Sequence, residues 1–465
     1  MAPERLTALD ASFLYLERPA MHMHVGGLSI LDPATCPTGR LRFEDVRRVV
    51  ASRLHLAPRF RQKVLQVPFN LARPVWVDDE HFDLSFHLRR AALPHPGGRR
   101  ELADAVQRVL SRPLDRSKPL WEMYVYEGLE GGLLATLLKV HHCLIDGISG
   151  MHIAGTVFDT TPELSVQEAG EPWTPEPPPS EADLVREAIE DQLLHPAGLL
   201  VEAARTLVRA PAVVSEALGL PLAGARDILG MGGRPVGPFD VQIGPNRRFA
   251  MAEAPLERFK EVKRALGGTV NDVVLTAAAG AIHNLLRTRG ERTRGRTLRA
   301  LVPVSVRSPE QHDLVGNRVA PAFVDLPVGP MGSKRRLVLV REGTRHLKES
   351  MMALGADAII NLGTYAPPVL HMMAARLASR GPWFNLVVSN IPAPQMPLYL
   401  AGARLLASYP SMPLGENAGL SIACTSLAGT MAFGLTADWD AVPDIDSLAR
   451  ALEDSIAELG KAAGL

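Results

Sequence analysis

Val140-His141-His142-Cys143-Leu144-Ile145-Asp146-Gly147 closes the run Leu133 to Val140, which is apolar on both faces and therefore predicts a strand at the centre of a sheet. Gly147 permits a sharp turn into a helix starting near Ile148. Adjacent residues on a strand point to opposite faces, so His141 and His142 cannot easily share one partner. A metal site built from His141, His142 and Asp146 is accordingly weak. So is a thiolate role for Cys143, whose immediate neighbours face away from it. A histidine acting as general base remains: a neutral imidazole, with its pKa near neutrality, can take a proton from a hydroxyl as that hydroxyl attacks a carbonyl. For an isolated histidine, a core residue satisfied by a backbone carbonyl is the better reading. Two histidines followed by Asp-Gly reverse that preference.

Working outward, Glu122 to Tyr126 predicts a second strand, and Leu102, Ala105, Val106, Val109 and Leu110 repeat at helical spacing up to Pro113. Beyond the motif, Thr161 to Ser180 contains six prolines interleaved with glutamates and reads as an exposed connector. Amphipathic stretches follow from Glu181 to Leu218, then a Gly/Pro-rich passage from Gly230 to Pro245. Their apolar faces suit either a lipid surface or, as preferred here, a crossing between domains. The division is an N-terminal domain over 1–160, a linker with crossing helices over 161–245 and a C-terminal domain over 246–465. In the latter, Thr269 and Asp272 resemble a capping box before a helix over Val270 to Leu286, and Leu298 to Val306 reads as a strand. Ala418 to Ala437 reads as two buried strands joined by a turn at Ala428-Gly429-Thr430.

Composition bounds the rest. The 465 residues exceed the roughly 250–300 that one core sustains, which favours two domains. Lys and Arg number 50, as do Asp and Glu, so no global field selects nucleic acid or anionic lipid. Three cysteines, far apart in sequence, exclude a disulfide framework and fit a reducing compartment. The N-terminus lacks the basic start and apolar run of a secretory signal. The uncharged stretch Gly381 to Ala403 carries four prolines that no spanning helix of that length would hold. The expectation is a cytoplasmic protein, with peripheral contact to the inner face of the plasma membrane or to lipid droplets left open.

His141-His142-x-x-x-Asp146-Gly147 resembles the HHxxxDG motif of the chloramphenicol-acetyltransferase-like superfamily. The opening Leu6-Thr7-Ala8-Leu9-Asp10-Ala11-Ser12-Phe13, the triplet Pro119-Leu120-Trp121, Asn271-Asp272, Pro303-Val304-Ser305-Val306-Arg307, Gly316-Asn317 and Ser389-Asn390-Ile391-Pro392 extend it. Together they narrow the resemblance to the bacterial bifunctional wax ester synthase/diacylglycerol acyltransferase family, over about Leu6 to Trp439.

That resemblance implies a mixed α/β fold of two acetyltransferase-like domains with an active-site tunnel at their interface. It implies transfer of a fatty acyl group from acyl-CoA to diacylglycerol or a long-chain alcohol, with CoA as acyl carrier and no metal or redox cofactor. His142 matches the motif's base and His141 its supporting histidine. Asp146, beside Gly147, matches a residue that typically pairs with an arginine, for which Arg307 is the candidate; a simple turn-former is the alternative. Asn271 could donate to a developing oxyanion and Asp272 could orient substrate, or both could merely cap a helix. Pro119, Leu120 and Trp121 could line the acyl channel, or could be a strand start with a core tryptophan. Ser389 and Asn390, after an apolar strand over Leu386 to Val388, could face the tunnel or cap that strand. Two rival functions remain at this point: a condensation-type acyltransferase using a carrier-bound thioester, and an inactive lipid-binding or droplet-coating protein. Acyl chain length, product preference and oligomeric state are not legible.

Overall fold

A computed structural model describes residues 3–145, 157–163, 173–194, 236–305, 319–354 and 383–465, together with Met372 and Arg376. The strands in chain order are β1 (His24–Asp32), β2 (Gln62–Leu65), β3 (Val75–Asp78), β4 (Leu88–Ala92), β5 (Trp121–Glu127), β6 (Leu134–His141), β7 (Arg247–Pro255), β8 (Thr297–Ser305), β9 (Val319–Pro327), β10 (Leu386–Pro392), β11 (Tyr399–Leu400), β12 (Ala403–Ser411), β13 (Leu420–Leu427) and β14 (Thr430–Asp438). They form a six-stranded sheet of order β11-β12-β1-β6-β5-β4, a second of order β7-β14-β13-β10-β8-β9, and a β2-β3 ribbon.

The predicted central strand is β6, hydrogen-bonded on both sides, with Val140 opposite Val25 of β1 and Trp121 of β5. Its two faces serve different cores. Leu134, Val140, Trp121, Met123 and Val125 pack with Leu6, Ala11 and Leu14 and with Val46 and Val49. Ala135 and Leu137 face the other way, onto Leu102, Val106 and Leu110 of the Arg99–Leu110 helix. Period-two alternation places Lys139 and His141 on this second face. Phe249, Met251 and Ala432 of the other sheet join the same core.

In the second sheet the helices Leu256–Leu266, Val270–Thr288, Ser333–Leu354 and Ile445–Ala462 supply a continuous apolar layer, including Phe259, Ala278, Leu337 and Leu452. Each fully buried Leu or Phe contributes about 1.5–3 kcal/mol of transfer free energy. The Val270–Thr288 helix opens with the expected capping box: Thr269 Oγ1 accepts the Asp272 amide, and Asp272 Oδ2 accepts the Thr269 amide. β13 and β14 form the expected hairpin. Ala428 and Gly429 both have positive φ, 44° and 90°, as a two-residue type I′ turn demands.

Two findings depart from the sequence reading. β11 and β12 leave the C-terminal segment and complete the first sheet, β12 pairing antiparallel with β1 through Leu28 opposite Tyr409. The proposed boundary at 246 is therefore crossed by two strands that no local pattern assigns to the other half. Ser389 and Asn390 lie inside β10 and do not follow it. The halves meet where β12 lies against β14. A Cβ on Gly434 would sit 1.9 Å from the Pro410 carbonyl oxygen, and Ser411 Oγ lies 2.9 Å from Thr436 Oγ1. Among the described residues no single helix is long and apolar enough to cross a membrane. The bent pair Leu256–Leu266 and Val270–Thr288 passes by composition, but its apolar residues belong to the core.

Candidate active site

Leu6-Thr7-Ala8-Leu9-Asp10-Ala11-Ser12-Phe13 forms the start of the Ala8–Leu16 helix, capped by Thr7 Oγ1 accepting the Asp10 amide at 3.1 Å. This helix lies beside the turn that carries the histidines. β6 ends at His141 and His142–Ile145 is a helical turn; the helix expected from near Ile148 lies outside the described residues. Backbone bonds fix the junction from two sides: the His141 amide donates to Leu120 O at 2.9 Å and the His142 amide to Met23 O at 2.8 Å.

The two rings have separate surroundings. His142 stacks on Phe13, with ring centroids 3.9 Å apart and planes 21° apart. Burial against this ring and its neighbours pushes its pKa down to about 4, so the imidazole is neutral throughout the physiological range. The expected titration near neutrality is thereby corrected, since an apolar wall disfavours the charged form. His141 is buried. Its Nδ1 accepts the Cys143 amide at 3.2 Å and lies 3.0 Å from Cys143 Sγ. An amide can only donate, so the proton of the neutral ring resides on Nε2, which faces Glu17 Oε1 at 3.6 Å. Glu17 is in turn bound by Arg116, with Nη2 at 2.5 Å and Nε at 2.9 Å. With that carboxylate engaged by a guanidinium, burial dominates and holds His141 neutral, at about 3. Cys143 thus lies beside His141 at the start of the helical turn and is itself buried, in the core that holds Leu134 and Val140.

Behind His141 the same face carries further buried polar groups. His24, opposite His141 in register, binds Leu110 O at 3.1 Å, and His22 binds Ser111 O at 3.2 Å. Lys139 Nζ donates to Val109 O at 3.1 Å and Arg112 O at 2.6 Å, capping the end of the Arg99–Leu110 helix. Burial lowers its pKa to about 8.

The remaining sequence-derived residues fall into four groups. Leu120 and Trp121 are buried core residues that frame the histidine strand. Trp121 Nε1 donates to Phe60 O at 2.8 Å, and its ring stacks on His87 at 4.7 Å. Pro119 precedes them at the strand start. These contacts match the core-tryptophan alternative. Asp272 is buried with both oxygens engaged, Oδ1 by the Thr344 hydroxyl at 2.6 Å and Oδ2 by Thr269, so the capping alternative accounts for its carboxylate. Asn271 stands half-buried in the first turn of the same helix. Ser389 is buried in β10, and Asn390 Oδ1 accepts from Cys424 Sγ at 3.5 Å. Asp146, Gly147 and Arg307 lie outside the described residues, and the pairing expected of Asp146 with Arg307 lies there too.

Sequence reasoning missed the Phe13–His142 stack and the Glu17–Arg116 pair facing His141. The only sequence signal was indirect: Phe13 ends the opening motif quoted for the family resemblance.

Comparison with known proteins agrees with this architecture. Residues 6–274 match the wax ester synthase/diacylglycerol acyltransferase catalytic domain, and residues 315–460 match the C-terminal domain of that family. A probable diacylglycerol O-acyltransferase of Mycobacterium tuberculosis, tgs2, is 35% identical over 98% of both chains. A second from that organism, tgs1, is 32% identical over 98% of this chain and 95% of its own. The solved wax ester synthase/diacylglycerol acyltransferase from Marinobacter aquaeolei VT8 superposes with a TM-score of 0.68 at 28% identity, covering 99% of this chain and 100% of that one. The first condensation domain of the calcium-dependent antibiotic synthetase shares the fold, with a TM-score of 0.56 at 16% identity over 99% of this chain and 96% of its own. The chain belongs to the wax ester synthase/diacylglycerol acyltransferase family.

Proposed function

We propose that the protein moves a fatty acyl group from acyl-CoA onto diacylglycerol or a long-chain alcohol, with His142 as general base. The observation that carries the reading is a neutral imidazole at the end of the central strand, in the second histidine position of HHxxxDG and stacked on an aromatic wall. In the proposed step the acceptor hydroxyl oxygen attacks the thioester carbonyl as His142 takes its proton. The C–S bond then breaks, and the proton passes to the departing thiolate, giving an ester and free CoA. The uncharged imidazole is the form this step needs, because only the neutral ring has a lone pair to accept the hydroxyl proton as the C–O bond forms. The thioester already holds the acyl group in activated form, so the reading needs no metal or redox cofactor. The acceptors are lipids, so a cytoplasmic protein meeting them at the inner membrane face or at a droplet is part of the proposal.

The test is CoA release from palmitoyl-CoA with diacylglycerol, hexadecanol or neither. Release that depends on an acceptor is expected. Release only from a carrier-bound thioester would favour condensation-type chemistry, and no release with any acceptor would favour an inactive lipid-binding protein.

A further inference from the structure

We infer that Phe13 is a positioning residue for His142: its ring fixes the plane in which the base meets the acceptor hydroxyl. The inference rests on the reading of His142 as base. The ring centroids are 3.9 Å apart and the planes within 21° of parallel, a face-to-face approach that a rotated imidazole could not keep. The Ala8–Leu16 helix that delivers Phe13 is itself fixed, by the Thr7 cap at one end and by Arg116 at the other, whose Nη2 donates to Leu14 O at 3.0 Å and binds Glu17. Phe13 also packs against the cluster of Met21, Met23, Ile243 and Leu414, which draws from both halves of the chain. Met23 is the residue whose carbonyl holds the His142 amide. Backbone and ring of His142 are therefore anchored to neighbouring parts of one small cluster. A general base must hold its lone pair within hydrogen-bond reach of the proton it takes, and small misplacements cost large factors in rate.

The decisive set is Phe13→Leu, which keeps an apolar side chain without a ring, Phe13→Tyr, which keeps the ring, and each in the His142→Ala background. Phe13→Leu should lower kcat about ten-fold or more with little change in KM for acyl-CoA. Phe13→Tyr should stay near the parent. The ring current of the stacked phenyl should shift the His142 ring protons upfield in NMR spectra of histidine-labelled protein. That shift should persist in Phe13→Tyr and vanish in Phe13→Leu. In His142→Ala the residual activity should not fall further when Phe13→Leu is added. Normal kcat in Phe13→Leu, an equal loss in Phe13→Leu and Phe13→Tyr, or a further ten-fold loss in the His142→Ala background would each overturn the inference. If His142→Ala itself keeps near-parent turnover, the base assignment has failed instead, and the NMR shift then judges the stack alone.

Discussion

The two sheets bury different chemistry. The second packs its helices over an almost wholly apolar layer, and its buried polar residues are mostly hydroxyls such as Thr276, Ser421, Thr425 and Ser455. The first carries imidazoles and a lysine in its interior. Among the described residues every fully buried histidine, His22, His24, His87 and His141, belongs to its half. Burying an ionisable group is unfavourable unless it is neutral or hydrogen-bonded, so such groups persist where a fold uses them or ties them down. His22, His24, His87 and Lys139 are tied to backbone carbonyls. His142, just past the end of β6, stacks on the Phe13 ring. On the proposed function, one sheet is scaffold and the other positions the chemistry.

The sharpest way to break that contrast is to remove the proposed base. His142→Ala should lose about 10²–10⁴-fold in turnover while still binding acyl-CoA, measured by steady-state kinetics beside equilibrium binding. A comparable change in the scaffold should instead appear in stability. Gly434→Ala places a Cβ 1.9 Å from the Pro410 carbonyl, backbone against backbone, and should lower unfolding free energy by about 3 kcal/mol or more, read from denaturant midpoints. Smaller again, Asp272→Ala removes the partner of the Thr269 amide and of the Thr344 hydroxyl. It should cost about 1–2 kcal/mol. Smallest, Arg47→Ala breaks an exposed i,i+3 pair with Glu44 at 3.6 Å and should leave the melting temperature within error.

Acid separates the two halves in another way. His141 and His142 have folded pKa values near 3 and 4 against about 6.5 unfolded. Between those limits the unfolded chain binds more protons, so their contribution to stability is complete above pH 6.5 and is lost as pH falls toward 4. Each contributes up to about 1.4 kcal/mol per pH unit to that slope. Denaturant midpoints from pH 7 to 4.5 should fall, and His142→Ala should flatten the fall. Turnover should stay level from pH 5 to 8; a midpoint near 6.5 in kcat/KM would show that the wall around His142 is wetter than described here.

How far the sequence could be read follows from how local each feature is. β6, the Thr269–Asp272 cap and the β13–β14 hairpin are set by neighbours within a few residues, and their patterns predict them. β12 joins the first sheet through partners 381 residues apart, Leu28 with Tyr409, and periodicity carries no such information. The same holds for the site. The motif singles out His142, proposed as the base, but the Phe13 stack, the Glu17–Arg116 pair and the neutral state of the ring depend on what the fold packs against it. Trp121 shows the converse: a residue that the family resemblance offered to an acyl channel has its N–H satisfied and its ring in the core.

Direct transfer without an acyl-enzyme is the centre of the account, and intact-protein mass spectrometry of the enzyme mixed with palmitoyl-CoA and no acceptor tests it most directly. Cys143 is buried, although its Sγ lies 3.0 Å from His141 Nδ1, and no serine elbow occurs in the sequence, so the spectrum should show unmodified protein with no burst of CoA. A palmitoyl adduct that forms within one turnover and disappears on adding diacylglycerol or hexadecanol would contradict the mechanism.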